Sequence, residues 1–113
     1  MHEISLAESV VQLIGEAAIK EKFSRVKTVW LEIGKLSHVD AEAMQFCFDS
    51  VSEQTLAEGA ILKIIPVAGR GYCSSCVQEV LIDQLYAPCP VCDSFCVSPI
   101  AGTEMRVKEL EVE

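Results

Sequence analysis

Apolar side chains at Leu6, Ala7, Val10, Val11, Ile14, Ala17 and Ala18 follow the spacing of one helix face. Ser5 with Glu8 three residues later matches a capping box, so this helix is expected to begin at Ser5 and leave Met1 to Ile4 outside. Residues 26–33 (Val-Lys-Thr-Val-Trp-Leu-Glu-Ile) are rich in β-branched and aromatic types and predict a strand ended by Gly34. Asp40 is placed to cap a second helix over about 41–57, with Met44, Cys47, Phe48 and Val51 on one face and Gly59 as its stop. Residues 61–67 predict another strand, and Pro66 assigns it to an edge or to a point of exit from the sheet. Residues 104–112 alternate through Met105 and Val107, then slip phase to Leu110 and Val112, which predicts a bulge near Lys108-Glu109.

Between the last two strands lies a segment with different grammar: Cys73-x2-Cys76-x12-Cys89-x2-Cys92. Each Cys-x2-Cys hook can offer two thiolates, and a loop of hairpin size returns the second hook to the first. Four thiolates then surround one tetrahedral Zn²⁺ with Zn–S bonds of about 2.3 Å. Ser74-Ser75 and Pro90 supply turn residues inside the hooks. The order α-β-α-β-[metal lobe]-β describes an α+β fold: two helices on one face of a three-stranded sheet, with a four-cysteine zinc-ribbon lobe inserted before the last strand. The expected division is 1–69 plus 99–113 for the α+β domain and 70–98 for the zinc-binding domain.

Composition removes several alternatives. At 113 residues and 50% hydrophobic content the chain can bury one modest core. The cysteine segment is too short for a core of its own and is expected to need its metal. No run approaches 18 apolar residues, and Glu3, Glu8 and Glu16 interrupt the first twenty, so neither a membrane span nor a signal peptide is expected. Six cysteines without such a signal point to the reducing cytoplasm and to metal ligation over disulfides. The net charge of −8, and Arg70 as the single basic residue of 70–95 against Glu79, Asp83 and Asp93, argue against nucleic acid as a partner. Solubility is the simpler reading of the acidity.

A closed four-thiolate site is structural by default, so function is sought elsewhere. The chain begins Met1-His2-Glu3. The Met1 amine, the His2 backbone nitrogen and His2 Nδ1 can close a five- and a six-membered chelate ring, with a fourth position for the Glu3 backbone nitrogen or a carboxylate. Such planar nitrogen-rich sites suit Ni(II) and Cu(II). The positive end of a helix disfavours a cation there but eases amide deprotonation.

Together these segments carry a resemblance. Met1-His2-Glu3-Ile4-Ser5-Leu6, Leu31-Glu32-Ile33-Gly34-Lys35-Leu36-Ser37, Phe46-Cys47-Phe48, Thr55-Leu56-Ala57-Glu58-Gly59-Ala60, Cys89-Pro90-Val91-Cys92 and Val107-Lys108-Glu109-Leu110-Glu111-Val112 make the chain resemble the HypA/HybF family of hydrogenase nickel-incorporation proteins along its full length. The resemblance implies a metallochaperone, with nickel held by Met1, His2 and Glu3 and structural zinc by Cys73, Cys76, Cys89 and Cys92. It implies a HypB-type GTPase as partner, the large subunit of [NiFe]-hydrogenase as client and, in some organisms, urease maturation.

Two positions depart from the family pattern: His38, where many relatives carry Cys, and Asp93, where many carry Gly. Asp tolerates the left-handed conformation that turn requires. His38 is read as a loop residue hydrogen-bonding near the second helix, with auxiliary ligation as the alternative. Cys96 is read as a free thiol, with substitute ligation as the alternative, and Cys47, Trp30, Phe46 and Phe48 as packing residues.

Two other functions compete. A zinc-ribbon adaptor without metal traffic would keep the four cysteines and be indifferent to His2. A thiol redox enzyme would place a Cys-x2-Cys pair between a strand and a helix, but Pro88 and Pro90 flank Cys89 and no helical pattern follows either pair. No nucleophile–base pair or phosphate loop is present, and no enzymatic activity is expected.

Overall fold

The computed structural model describes residues 2–113, the side chain of His2 excepted. The expectations placed on Met1 and on the His2 imidazole lie outside the described residues. The elements run α1 (His2–Glu21), β1 (Val26–Gly34), α2 (Ala41–Val51), β2 (Ile61–Val67), β3 (Arg70–Cys73), β4 (Gln78–Leu81), β5 (Val97–Ala101) and β6 (Met105–Val112). The strands form two three-stranded sheets of order β2-β1-β6 and β4-β3-β5. Pro66 lies on β2, an edge strand, the setting in which a strand proline is tolerated.

Contacts divide the chain into two compact units: residues through Leu31 with Val39–Ile64 and Val107–Glu113, and Glu32–His38 with Ile65–Arg106. In the first, α1 packs on α2, and the buried set is an ordinary apolar core. Ala7, Val10 and Ile14 come from α1, Val26, Val29 and Leu31 from β1, and Met44, Cys47 and Phe48 from α2. Cys47 and Phe48 are therefore packing residues as expected. Trp30 is half-buried, with the Lys63 ammonium 5.6 Å from its ring centroid, within cation–π range. Phe46 is not a packing residue: it is 77% exposed, because the apolar face of α2 runs through Met44, Cys47 and Phe48 and turns residue 46 outward.

Both helices differ from expectation at one end. α1 starts at His2, so Ser5 lies a turn inside it and its carbonyl accepts from Ser9 Oγ at 3.0 Å. Packing of the amphipathic face extends a helix past a local capping signal, and Glu3 suits the positive end of the first turn. α2 begins as expected, with Asp40 Oδ1 accepting from the Ala43 amide at 3.1 Å, but ends at Val51. Thr55 Oγ1 donates to the Ser52 carbonyl at 2.6 Å, Ser52 Oγ donates to Asp49 O at 3.3 Å, and Gln54 takes φ 63°. Hydroxyls thus capture carbonyls that a longer helix would use. On β6 the half-buried residues are Met105, Val107 and Leu110, which matches the phase slip read from the sequence.

The second unit is organised around β3, paired antiparallel with β4 (Cys73 opposite Gln78) and with β5 (Cys73 opposite Val97). Its buried cluster is Leu36, Cys73, Val80, Ile82 and Cys89, with Cys76, Leu85 and Val97 packed against it. Residues 34–36 are laced to 102–104: the Gly34 amide donates to Glu104 O at 2.9 Å and the Leu36 amide to Gly102 O at 2.8 Å. Neither glycine is replaceable. A Cβ on Gly34 would collide with the Gly102 carbonyl oxygen, and Gly102 has φ +84°.

Candidate metal centre

Cys73 ends β3 and starts a tight turn, so its side chain and that of Cys76 face the same point. Val77, the next residue, has φ 56°, a left-handed conformation unusual for a β-branched residue. The second hook repeats the device without a strand. The Asp93 amide donates to Cys89 O at 2.8 Å, the Cys89 amide to Ser94 O at 2.8 Å and the Val91 amide to Cys89 Sγ at 3.4 Å. Asp93, which follows Cys92 as Val77 follows Cys76, has φ 65°. Asp is one of the few side chains that accept this conformation readily. The hooks are tied further by the Ser74 amide, which donates to Cys96 O at 3.1 Å.

The four Sγ atoms lie within 4.8 Å of one another. Two pairs that cross between hooks are close, Cys73 to Cys92 at 3.6 Å and Cys76 to Cys89 at 3.8 Å. A tetrahedral ion with bonds of about 2.3 Å holds its sulfurs roughly 3.8 Å apart, so the set fits zinc. Burial is uneven: Cys73 and Cys89 are inside, Cys76 is half-buried and Cys92 exposed. None of the six cysteines is disulfide-bonded, and Cys96 is exposed and outside the four-sulfur group.

The thiols are electrostatically unequal. Hydrogen bonding from Ser94, and then from the backbone at Cys76, lowers Cys73 to about 6. Ser94 also lowers Cys92, mainly through its hydroxyl and then its amide. Burial, followed by its sulfur neighbours, pushes Cys76 up to about 12. A divalent cation at the centre is what allows four sulfurs this close to be thiolates together.

At the other candidate region, Glu3 Oε2 accepts from the Asp40 amide at 3.2 Å, tying the first turn of α1 to the cap residue of α2. Pattern reading gave Asp40 a capping role and missed this second one; the contact spans 37 positions of sequence and no local signal announces it. His38 is exposed, with φ 62°, in the loop before Asp40 and outside the four-sulfur group. Ser94 was also missed, though a hydroxyl two residues beyond the last hook cysteine was there to be noticed. No helix among the described residues is long and apolar enough to cross a membrane.

Fold and site define a small α+β protein with a four-cysteine cluster at metal-binding distance and a separately packed helical unit. The chain belongs to the HypA family of hydrogenase/urease nickel incorporation metallochaperones, whose family model matches residues 1–112. It is 53% identical to the hydrogenase maturation factor HypA of Dechloromonas aromatica over the whole of both chains. It is 47% identical to that of Azotobacter vinelandii, again over both full lengths. The solution structure of the Ni metallochaperone HypA from Helicobacter pylori superposes with a TM-score of 0.73 at 29% identity, covering 97% of this chain and 96% of that one.

Proposed function

We propose that this protein carries Ni(II) at its amino terminus and delivers it to the large subunit of [NiFe]-hydrogenase during maturation. The reading is carried by the family match that begins at the first residue and runs to residue 112. Nickel would be held by the Met1 amine, the His2 backbone nitrogen and His2 Nδ1, with Glu3 completing the site, a planar nitrogen-rich set that suits Ni(II). Zn²⁺ would be held by Cys73, Cys76, Cys89 and Cys92, where the sulfur spacing fits it. In the functional division, 1–69 plus 99–113 handle nickel and 70–98 form the zinc lobe. A chain end suits cargo because an acceptor can replace its ligands one at a time. A HypB-type GTPase is the proposed partner and the cytoplasm the proposed compartment; urease maturation is a second client class. The chain itself performs no catalytic step.

Nickel binding to untagged, zinc-loaded protein tests this reading, compared with His2→Ala and with a form extended by one residue before Met1. Both changes are expected to abolish nickel binding with one zinc retained per chain. Unchanged nickel binding in both would overturn the terminal site and leave a zinc-ribbon adaptor as the better account.

A further inference from the structure

Among the described residues, Ser94 is the one side chain outside the four cysteines seen hydrogen-bonded to two of their sulfurs. Its Oγ is 3.4 Å from Cys73 Sγ and 3.2 Å from Cys92 Sγ. Those cysteines belong to different hooks, with their sulfurs 3.6 Å apart. In this structure the Cys92 thiol donates to Ser94 Oγ, which in turn faces Cys73 Sγ. Once a metal displaces the thiol protons, both sulfurs can only accept. The single hydroxyl proton is then shared between them or alternates. The backbone also fixes Ser94, since its carbonyl accepts from the Cys89 amide at 2.8 Å. Its hydroxyl is therefore presented by the second hook to a sulfur of the first.

We propose that Ser94 is a positioning residue of the metal centre: its hydroxyl bridges Cys73 and Cys92 and holds the two hooks in the closed, metal-retaining arrangement. A donor aimed at a metal-bound thiolate stabilises its charge and orients it, and loss of such outer partners costs roughly ten- to a hundredfold in metal affinity. The exposed Cys92 is where this matters most. Without the hydroxyl, it is the sulfur best placed to leave the metal first.

The inference rests on the four-cysteine zinc reading, and the experiment separates the two. Full-length protein, Ser94→Ala and Ser94→Thr are loaded with zinc, and affinity is measured by chelator competition. The same three are loaded with Co(II), and the sulfur-to-metal charge-transfer band is recorded. Wild-type protein that binds no zinc would sink the site reading itself. If wild type binds one zinc, Ser94→Ala is expected to bind about tenfold more weakly. Its cobalt band should move to lower energy, because a thiolate without its donor is easier to oxidise, and Ser94→Thr should restore both. An unmoved band and unchanged affinity in Ser94→Ala, or a Thr variant that behaves like Ala, would overturn the bridge. Should Ser94→Ala fail to take up metal, ¹¹³Cd-loaded wild type carries the test: a Ser94 hydroxyl proton coupled to cadmium supports the bridge, and its absence overturns it.

Discussion

The two units of this chain solve the problem of a small core in different ways. The first buries an ordinary apolar set, with Phe48, Ile14, Leu31 and Met44 among its largest fully buried side chains. The second buries five residues as its centre, and two of them, Cys73 and Cys89, are members of the four-sulfur group. Their sulfurs face other sulfurs where a conventional core would place carbon against carbon. Cohesion in the first unit is thus a property of the polypeptide alone, and in the second it depends on whatever holds the thiolates together. A metal held by the four sulfurs would therefore be part of the second unit's folding, whereas the first unit's core needs none.

The sharpest way to break this contrast is to remove the metal. Structural zinc in small domains contributes apparent binding energies of about 10–16 kcal/mol, which is folding energy for the site that binds it. Chelation should collapse the amide spectrum of residues 70–101 while that of the first unit persists. A dispersed spectrum for both units after chelation would break the comparison. The converse change is Phe48→Ala, expected to cost roughly 3–5 kcal/mol of first-unit stability through lost burial and a cavity. Zinc affinity should hold; thermal melting and chelator competition on one sample would show whether it does.

Acidification should also separate the units. The Cys73 thiol is held below its ordinary value, so its contribution is present above about pH 9 and fades as pH falls toward about 6, and Cys92 is shifted in the same direction. Cys76 has the opposite sign, held up to about 12, and its proton must be expelled when metal binds. Metal binding therefore releases protons, and zinc affinity should fall about tenfold per pH unit for each proton released. Loss of zinc and of second-unit structure should precede any first-unit melting, as followed by fluorescence of Trp30 alongside a zinc indicator. A smaller effect is expected from Asp40→Ala, which removes the cap on the Ala43 amide and costs the first unit about 1 kcal/mol. An equal loss of zinc affinity would mean that the contrast is drawn in the wrong place.

The same contrast explains what could be read from the sequence. The metal hooks were legible because their chemistry is local: two cysteines and a turn residue close each one, and Asp93 satisfies its left-handed conformation by itself. The strand over 26–34, the cap at Asp40 and the edge position of Pro66 were legible for the same reason. Features decided by partners distant in sequence were not. The start of α1 one turn before Ser5, the Glu3–Asp40 contact and the outward turn of Phe46 depend on how helices pack. The early end of α2 depends on hydroxyl groups at Ser52 and Thr55 that periodicity ignores. Strand β5, which carries Pro99 opposite Gly71 and gives the second unit its own sheet, has no alternating pattern to announce it.

The central claim is that the two metals are held by different parts of the chain, nickel at the amino terminus and zinc at the four cysteines. Titrating zinc-loaded protein with Ni(II), while following backbone amides by NMR and zinc content by indicator, tests it most directly. The account predicts shifts at Glu3 and its neighbours and at Asp40, whose amide Glu3 holds, with zinc retained at one per chain and residues 73–94 unmoved. Nickel that displaces zinc, or that shifts the cysteine hooks and leaves Glu3 and Asp40 untouched, would contradict it.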